Sequence, residues 1–205
     1  TGSSPAIPPI PGLAEAPHFT NETIFDNQSP IAHLIVIGGG PIGMELAQAH
    51  LRLGAKVTVL EGLKALAKDD PELTEVVLKK LRAEGLAIRE GVRVERVEAI
   101  PGGGVRVHVN DGGAALALEG SHLLVATGRK ANIRDLNLDA AGIKHDNRAI
   151  MVNGGMLTSN PSVFAIGDVT GGLQFTHVAN AHAGIVIRRA LFRQQENFNA
   201  DLVPW

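Results

Sequence analysis

The chain contains no cysteine. That excludes disulfides, thiolate metal ligands and thiol chemistry from these 205 residues. Aromatic residues make up only 3%, with no tyrosine, while 44% of residues are hydrophobic, so any core must be aliphatic. Neither charge sign dominates. Nineteen Lys and Arg against 21 Asp and Glu give a net charge of -2, which offers no footprint for nucleic acid or an anionic bilayer. No apolar run reaches the roughly 18 residues that would span a membrane, and residues 1–30 show no charged and apolar regions of a secretory leader. A cytoplasmic location is the expectation. His177 and His182 are five apart and do not share a helix face, so no metal pair is expected there. Ser3, Ser4 and Ser121 fit no nucleophile pattern.

What is present concentrates in residues 31–61, IAHLIVIGGGPIGMELAQAHLRLGAKVTVLE. His33–Ile37 is a short apolar run suited to a buried parallel strand. Gly38-x-Gly40-x-x-Gly43 follows at once, and apolar residues from Met44 to Leu53 recur at helical spacing up to Gly54. Lys56–Leu60 reads as a second strand, with Glu61 at its end. Strand, glycine turn, helix, strand and terminal acid are the setting that a dinucleotide-binding turn requires. Gly38 permits the sharp turn, Gly40 lets a pyrophosphate approach the backbone, and Gly43 lets helix and strand pack closely. The helix opening near Pro41 offers unpaired N–H groups to phosphates. Glu61 would accept hydrogen bonds from the adenosine ribose hydroxyls and repel a 2'-phosphate. No Arg follows it in Gly62-Leu63, so NAD(H) is favoured over NADP(H).

Residues 1–30 are rich in Pro, Ser and Gly and read as an extended linker. The spacing predicts a helix over 71–82, capped by Asp69 or Asp70, with Leu73, Val76, Val77, Lys80 and Leu81 giving an amphipathic face. Leu86–Glu90 reads as a third parallel strand. From Val92 the period changes to two, with turns at Gly102–Gly104 and Asp111–Gly113, which predicts a three-stranded antiparallel meander. A buried strand is expected over 122–127, and short strands near Ala149–Val152 and over 163–166. A last helix is expected over 176–192, with Val178, Ala181, Ile185 and Leu191 inward. The expected fold class is therefore α/β: a Rossmann-like parallel sheet with helices, plus the antiparallel meander.

Four stretches together resemble the pyridine nucleotide–disulfide oxidoreductases. Gly38–Glu45 (GGGPIGME) is similar to the family's nicotinamide-nucleotide turn. Ala126–Asn132 (ATGRKAN) is similar to its second link, with Ala131 where Pro is usual, and Thr1-Gly2-Ser3 resembles a remnant of the first link. Val163–Val169 (VFAIGDV) resembles its second flavin motif. Residues 176–192 are most similar to the mercuric reductase and dihydrolipoamide dehydrogenase branch. The first flavin turn, the redox cysteine pair and the dimerisation domain of that family have no counterpart in these residues. The chain thus reads as the middle of a longer enzyme.

The resemblance implies roles residue by residue. Gly38, Gly40, Pro41, Ile42, Gly43 and Glu61 would hold NAD, with Val92 near the adenine and Gly128 on the nicotinamide side. Glu45 would lie near the flavin and nicotinamide as the one catalytic residue. Asp168 would accept from the ribityl chain of FAD, Gly167 would allow close approach, and the helix opening at His177 would stabilise reduced flavin. The implied domains are 1–29, a flavin-domain remnant; 30–155, the NAD(P)-binding domain; and 156–205, part of the FAD-binding domain. The implied activity is hydride transfer from NAD(P)H to FAD, then on to a disulfide or metal ion, in a homodimer of the full-length protein. The alternative is a stand-alone dinucleotide-binding or redox-sensing module.

Overall fold

A parallel strand covered on both faces is built mainly from apolar residues, and in His33–Ile37 (β2) the four from Leu34 to Ile37 are apolar and buried. The computed structural model describes residues 1–204. They form two compact units, residues 5–128 and residues 1–4 with 129 onward.

In the first unit, β2 leads into α1 (Pro41–Arg52) and β3 (Lys56–Glu61). Then come α2 (Pro71–Ala83), β4 (Ala87–Glu90), β5 (Val92–Ala99), β6 (Val105–Asp111), β7 (Ala114–Gly120) and β8 (His122–Val125). The four parallel strands lie in the order β4-β3-β2-β8. Side chains alternate across this sheet. Leu34, Val36, Val57 and Val59 join Met44 and Ala47 of α1 and Leu78 and Leu81 of α2 on one face. Ile35, Ile37, Leu60 and Leu123 meet Val92, Val97, Val105 and Val107 of the meander on the other. The antiparallel sheet β5-β6-β7 thus takes the place a crossover helix would occupy, as its period-two pattern predicts.

Two expectations change here, and one open choice between two caps is decided. Residues 1–30 are not a free spacer: Leu13 is fully buried in the meander-side core, and Ala16 and Ile24 are buried too. On α2 it is Leu78 and Leu81 that are buried, while Leu73, Val76 and Val77 are exposed. The helix carries two apolar stripes, and the sheet takes the one containing Leu81. Asp70, not Asp69, caps it, accepting from Glu72 N–H at 2.9 Å.

The second unit holds β1 (Ser3–Pro5), paired with β9 (Arg129–Ala131), a small core of Leu138, Ile143, Ile150, Ala165 and Val169, and α3 (Thr176–Phe192). The strands expected near Ala149–Val152 and over 163–166 are reduced to single bridges, His145 with Ile150 and Leu157 with Phe164. Local turns intervene: Asp146 accepts from the N–H groups of Arg148 and Ala149. On α3, Val178 and Ile185 are buried as expected, but Ala181 and Leu191 are exposed and His182 is buried instead. No helix among the described residues is long and apolar enough to cross a membrane.

Candidate dinucleotide site and the Ser3–Asp168 cluster

The glycine turn joins β2 to α1 at the carboxyl edge of the parallel sheet, where open α/β sheets bind ligands. Gly38 has φ +110, and a Cβ there would sit 2.4 Å from Ala126 O, so no other residue fits. Gly43 is held as tightly: its Cβ would meet Gly38 O at 2.1 Å. Gly40 differs, because nothing lies within 4 Å of a Cβ built on it. The space in front of Gly40 is open to a ligand.

Gly40 is also the N-cap of α1, and no side chain caps that end. Pro41 supplies the first helical position and no N–H. The first-turn N–H groups, beginning with Ile42, therefore have no capping side chain. A partial positive charge at such a terminus favours phosphate.

Glu61 closes one side. Its Oε2 accepts from Gly39 N–H at 2.7 Å and its Oε1 from Leu63 N–H at 2.8 Å. The acid at the end of β3 and the turn at the end of β2 are thus tied directly. Gly38 to Ile42, Glu61, Val92 and Gly128 all line one cleft of about 640 Å³. Gly43 sits behind it, buried. Glu45 is exposed on the first turn of α1 and is not among the cleft-lining residues.

The cleft includes residues that the motif gives no reason to expect. Pro8 and Ile10 line it, as do Lys64, Lys68 and Arg93. The loop that presents Lys64 and Lys68 is pinned: Ala65 N–H donates to Glu90 at 2.8 Å and Leu66 N–H to Gly39 O at 2.9 Å.

In the other unit, Asp168 and Gly167 begin a short 3-10 turn. Ser3 Oγ donates to Asp168 Oδ2 at 2.5 Å, Arg129 Nε donates to Ser3 Oγ at 2.6 Å, and Arg129 also donates to Ser3 O at 2.7 Å. Gly167 N–H donates to Nδ1 of buried His182 at 3.1 Å, and burial pushes that imidazole's pKa down. His177 is exposed at the start of α3, stacked on Phe175, and no side chain caps that helix. An uncapped helix start favours negative charge, and a carboxylate can accept from hydroxyls. Nothing local in the sequence signals the Ser3–Asp168 contact, since 165 positions separate the two.

A family model for pyridine nucleotide-disulphide oxidoreductases matches residues 1–183. The chain is 39% identical over its whole length to a mercuric reductase of Lysinibacillus sphaericus, of which it covers 38%. It is 41% identical over 88% of its length to the mercuric reductase of Shigella flexneri, covering 32% of that protein. Among solved structures, the HOCl-induced flavoprotein disulfide reductase RclA from Escherichia coli superposes with a TM-score of 0.89 at 32% identity, over 96% of this chain and 45% of RclA. LpdA from Mycobacterium tuberculosis gives a TM-score of 0.87 at 28% identity, over 97% of this chain and 43% of LpdA. The chain therefore spans less than half the length of the relatives it matches.

Proposed function

The chain belongs to the pyridine nucleotide-disulphide oxidoreductases, and from that membership we propose that the unit of residues 5–128 holds NAD(P)H, with residues 1–4 and those from 129 onward serving a flavin-binding part. In the whole protein, FAD would supply the hydride acceptor, and electrons would leave to a disulfide or a metal ion. The mercuric reductase relatives favour a metal-ion acceptor.

Within the chain the roles divide by chemistry. The N–H groups at the start of α1 neutralise the pyrophosphate, with Gly40 leaving room for it. Glu61 accepts from the adenosine ribose and disfavours a 2'-phosphate, so NADH binds more tightly than NADPH. Val92 borders the adenine and Gly128 the nicotinamide side. Asp168, held by Ser3, accepts from the ribityl hydroxyls, and the start of α3 at His177 favours negative charge on the flavin. Glu45 serves at the meeting of nicotinamide and flavin. A homodimer and a cytoplasmic location complete this reading of the whole protein.

The observation that supports it best is the bond from Gly39 N–H to Glu61, which sets ribose acceptor and phosphate donors on one cleft. Calorimetric titration of the chain with NADH and NADPH tests it. NADH binding with weaker NADPH binding is expected; no binding of either would end the proposal.

A further inference from the structure

Residues 6–13 form a strap across the cleft of the dinucleotide site, tied at both ends. At one end Ala6 N–H donates to Gly128 O at 2.9 Å, and Thr127 Oγ1 donates to Ala6 O at 2.7 Å. At the other, Val97 N–H donates to Pro11 O at 2.9 Å, and Leu13 is fully buried in the meander-side core. Between these anchors Pro8 and Ile10 line the cleft.

The chemistry of this wall is the opposite of that of the glycine turn. Pro8, Pro9 and Pro11 have no N–H. The N–H of Ile10 is already spent on Pro8 O at 2.8 Å. No backbone donor from residue 8 to residue 11 is left for a ligand, so the wall cannot hold a phosphate. It offers proline rings and an isoleucine side chain without a donor, and the fixed φ of proline keeps that surface rigid. A rigid apolar wall suits the face of a flat ring.

Which ring follows from the two ends of the cleft. Glu61, the ribose acceptor, ends β3, and Thr127 and Gly128 follow β8, with β2 and its glycine turn between them in the sheet. The strap is anchored to Thr127 and Gly128 and reaches Pro8 two residues later, a span of at most about 7 Å. That is the end away from the adenosine acid. We propose that Pro8 and Ile10 form the platform against which the nicotinamide ring of the dinucleotide packs. They are positioning residues, and the proposal rests on the dinucleotide reading of the same cleft.

The test compares NADH with ADP-ribose, which shares everything but the nicotinamide riboside. Both are titrated into the chain, into Ile10→Ser and into Pro8→Ser, with thermal melts to show that each variant is folded. Ile10 packs partly on the core, so Pro8→Ser is the safeguard should Ile10→Ser unfold. The expected result is NADH binding weakened about tenfold in either variant, with ADP-ribose binding unchanged and the enhanced fluorescence of bound NADH reduced. Equal weakening of both ligands, or no change in NADH binding, overturns the platform while leaving the dinucleotide site intact. Failure of the unmutated chain to bind either ligand overturns both.

Discussion

Glu61 Oε2 accepts a hydrogen bond from Gly39 N–H at 2.7 Å, so the acid ending one strand braces the turn ending its neighbour. The contact carries two consequences that separate on mutation. Glu61→Gln keeps an acceptor oxygen for one N–H but presents an amide where the second carboxylate oxygen stood. A hydrogen bond to a charged group is worth about 1.5–3 kcal/mol. Glu61→Ala should therefore lower unfolding free energy by about 1–3 kcal/mol, leaving the Gly39 and Leu63 N–H groups without their acceptor. Glu61→Gln should lose less. Both should narrow the gap between NADH and NADPH affinities. Denaturant unfolding and calorimetry together check this; an unchanged preference in Glu61→Ala would remove the acid from cofactor choice.

The glycines of one motif should respond in opposite ways. A Cβ on Gly43 would stand 2.1 Å from Gly38 O and 3.4 Å from Ala126 Cβ, with no flexible group to yield. Gly43→Ala should destabilise the fold by about 3 kcal/mol or more, in the range of overpacked cores. Gly40 has open space and an ordinary extended backbone, φ -75. Gly40→Ala should fold with stability within about 1 kcal/mol of the parent and still lose dinucleotide affinity, because its methyl enters the space left for pyrophosphate. Thermal melts and NADH titrations on the pair read this directly. Equal affinity in Gly40→Ala would show that no phosphate comes close there.

What the sequence made legible was local. Residues 31–61 carry strand, turn, helix and acid in one contiguous run, and all of them form as read. The meander was legible because its side chains alternate and its turns are rich in glycine. The α2 face was not. Leu73, Val76 and Val77 repeat at helical spacing as well as Leu78 and Leu81 do, and only the sheet decides which stripe is covered. Contacts across long separations were equally hidden: Thr127 to Ala6 spans 121 positions and Ser3 to Asp168 spans 165. A proline-rich composition says that a segment is extended, not what it lies against.

The α2 difference is measurable. Leu78→Ala removes a side chain buried against the parallel sheet and should cost about 2–4 kcal/mol. Leu73→Gln and Val76→Gln replace exposed side chains and should each stay within about 0.5 kcal/mol of the parent. Denaturant midpoints distinguish the two sets. A large loss in Leu73→Gln would mean that the exposed stripe is covered.

Acid should weaken the fold through its buried and partly buried imidazoles. Burial pushes the pKa of His33 below its ordinary 6.5, and burial does the same to His122 and His182. Neutral His33 fits its partners, donating from Nδ1 to Glu119 O at 2.8 Å and accepting at Nε2 from Thr58 Oγ1 at 3.0 Å. The unfolded chain binds the proton more readily than the folded one. Stability is therefore full above about pH 6.5 and falls as pH drops through that value toward the lower folded pKa. Thermal unfolding between about pH 7.5 and about pH 5.5 should show the decline, and His33→Gln should flatten part of it. A profile identical in His33→Gln would exclude His33 as a contributor.

Ser3 offers the sharpest separation between holding a residue and replacing it. Its hydroxyl donates to Asp168 at 2.5 Å and itself accepts from Arg129 at 2.6 Å, so a serine near one end of the chain orients the acid assigned to the ribityl chain. Ser3→Ala leaves the carboxylate in place but loosens it. Asp168→Ala removes the acceptor outright. In the protein carrying its flavin, FAD affinity should fall in that order: about threefold to tenfold for Ser3→Ala, from one lost orienting bond, and more for Asp168→Ala. Quenching of FAD fluorescence on binding gives both dissociation constants without any turnover. If Asp168→Ala keeps the parent affinity, the carboxylate serves only its local turn, and the bond from Ser3 is structural.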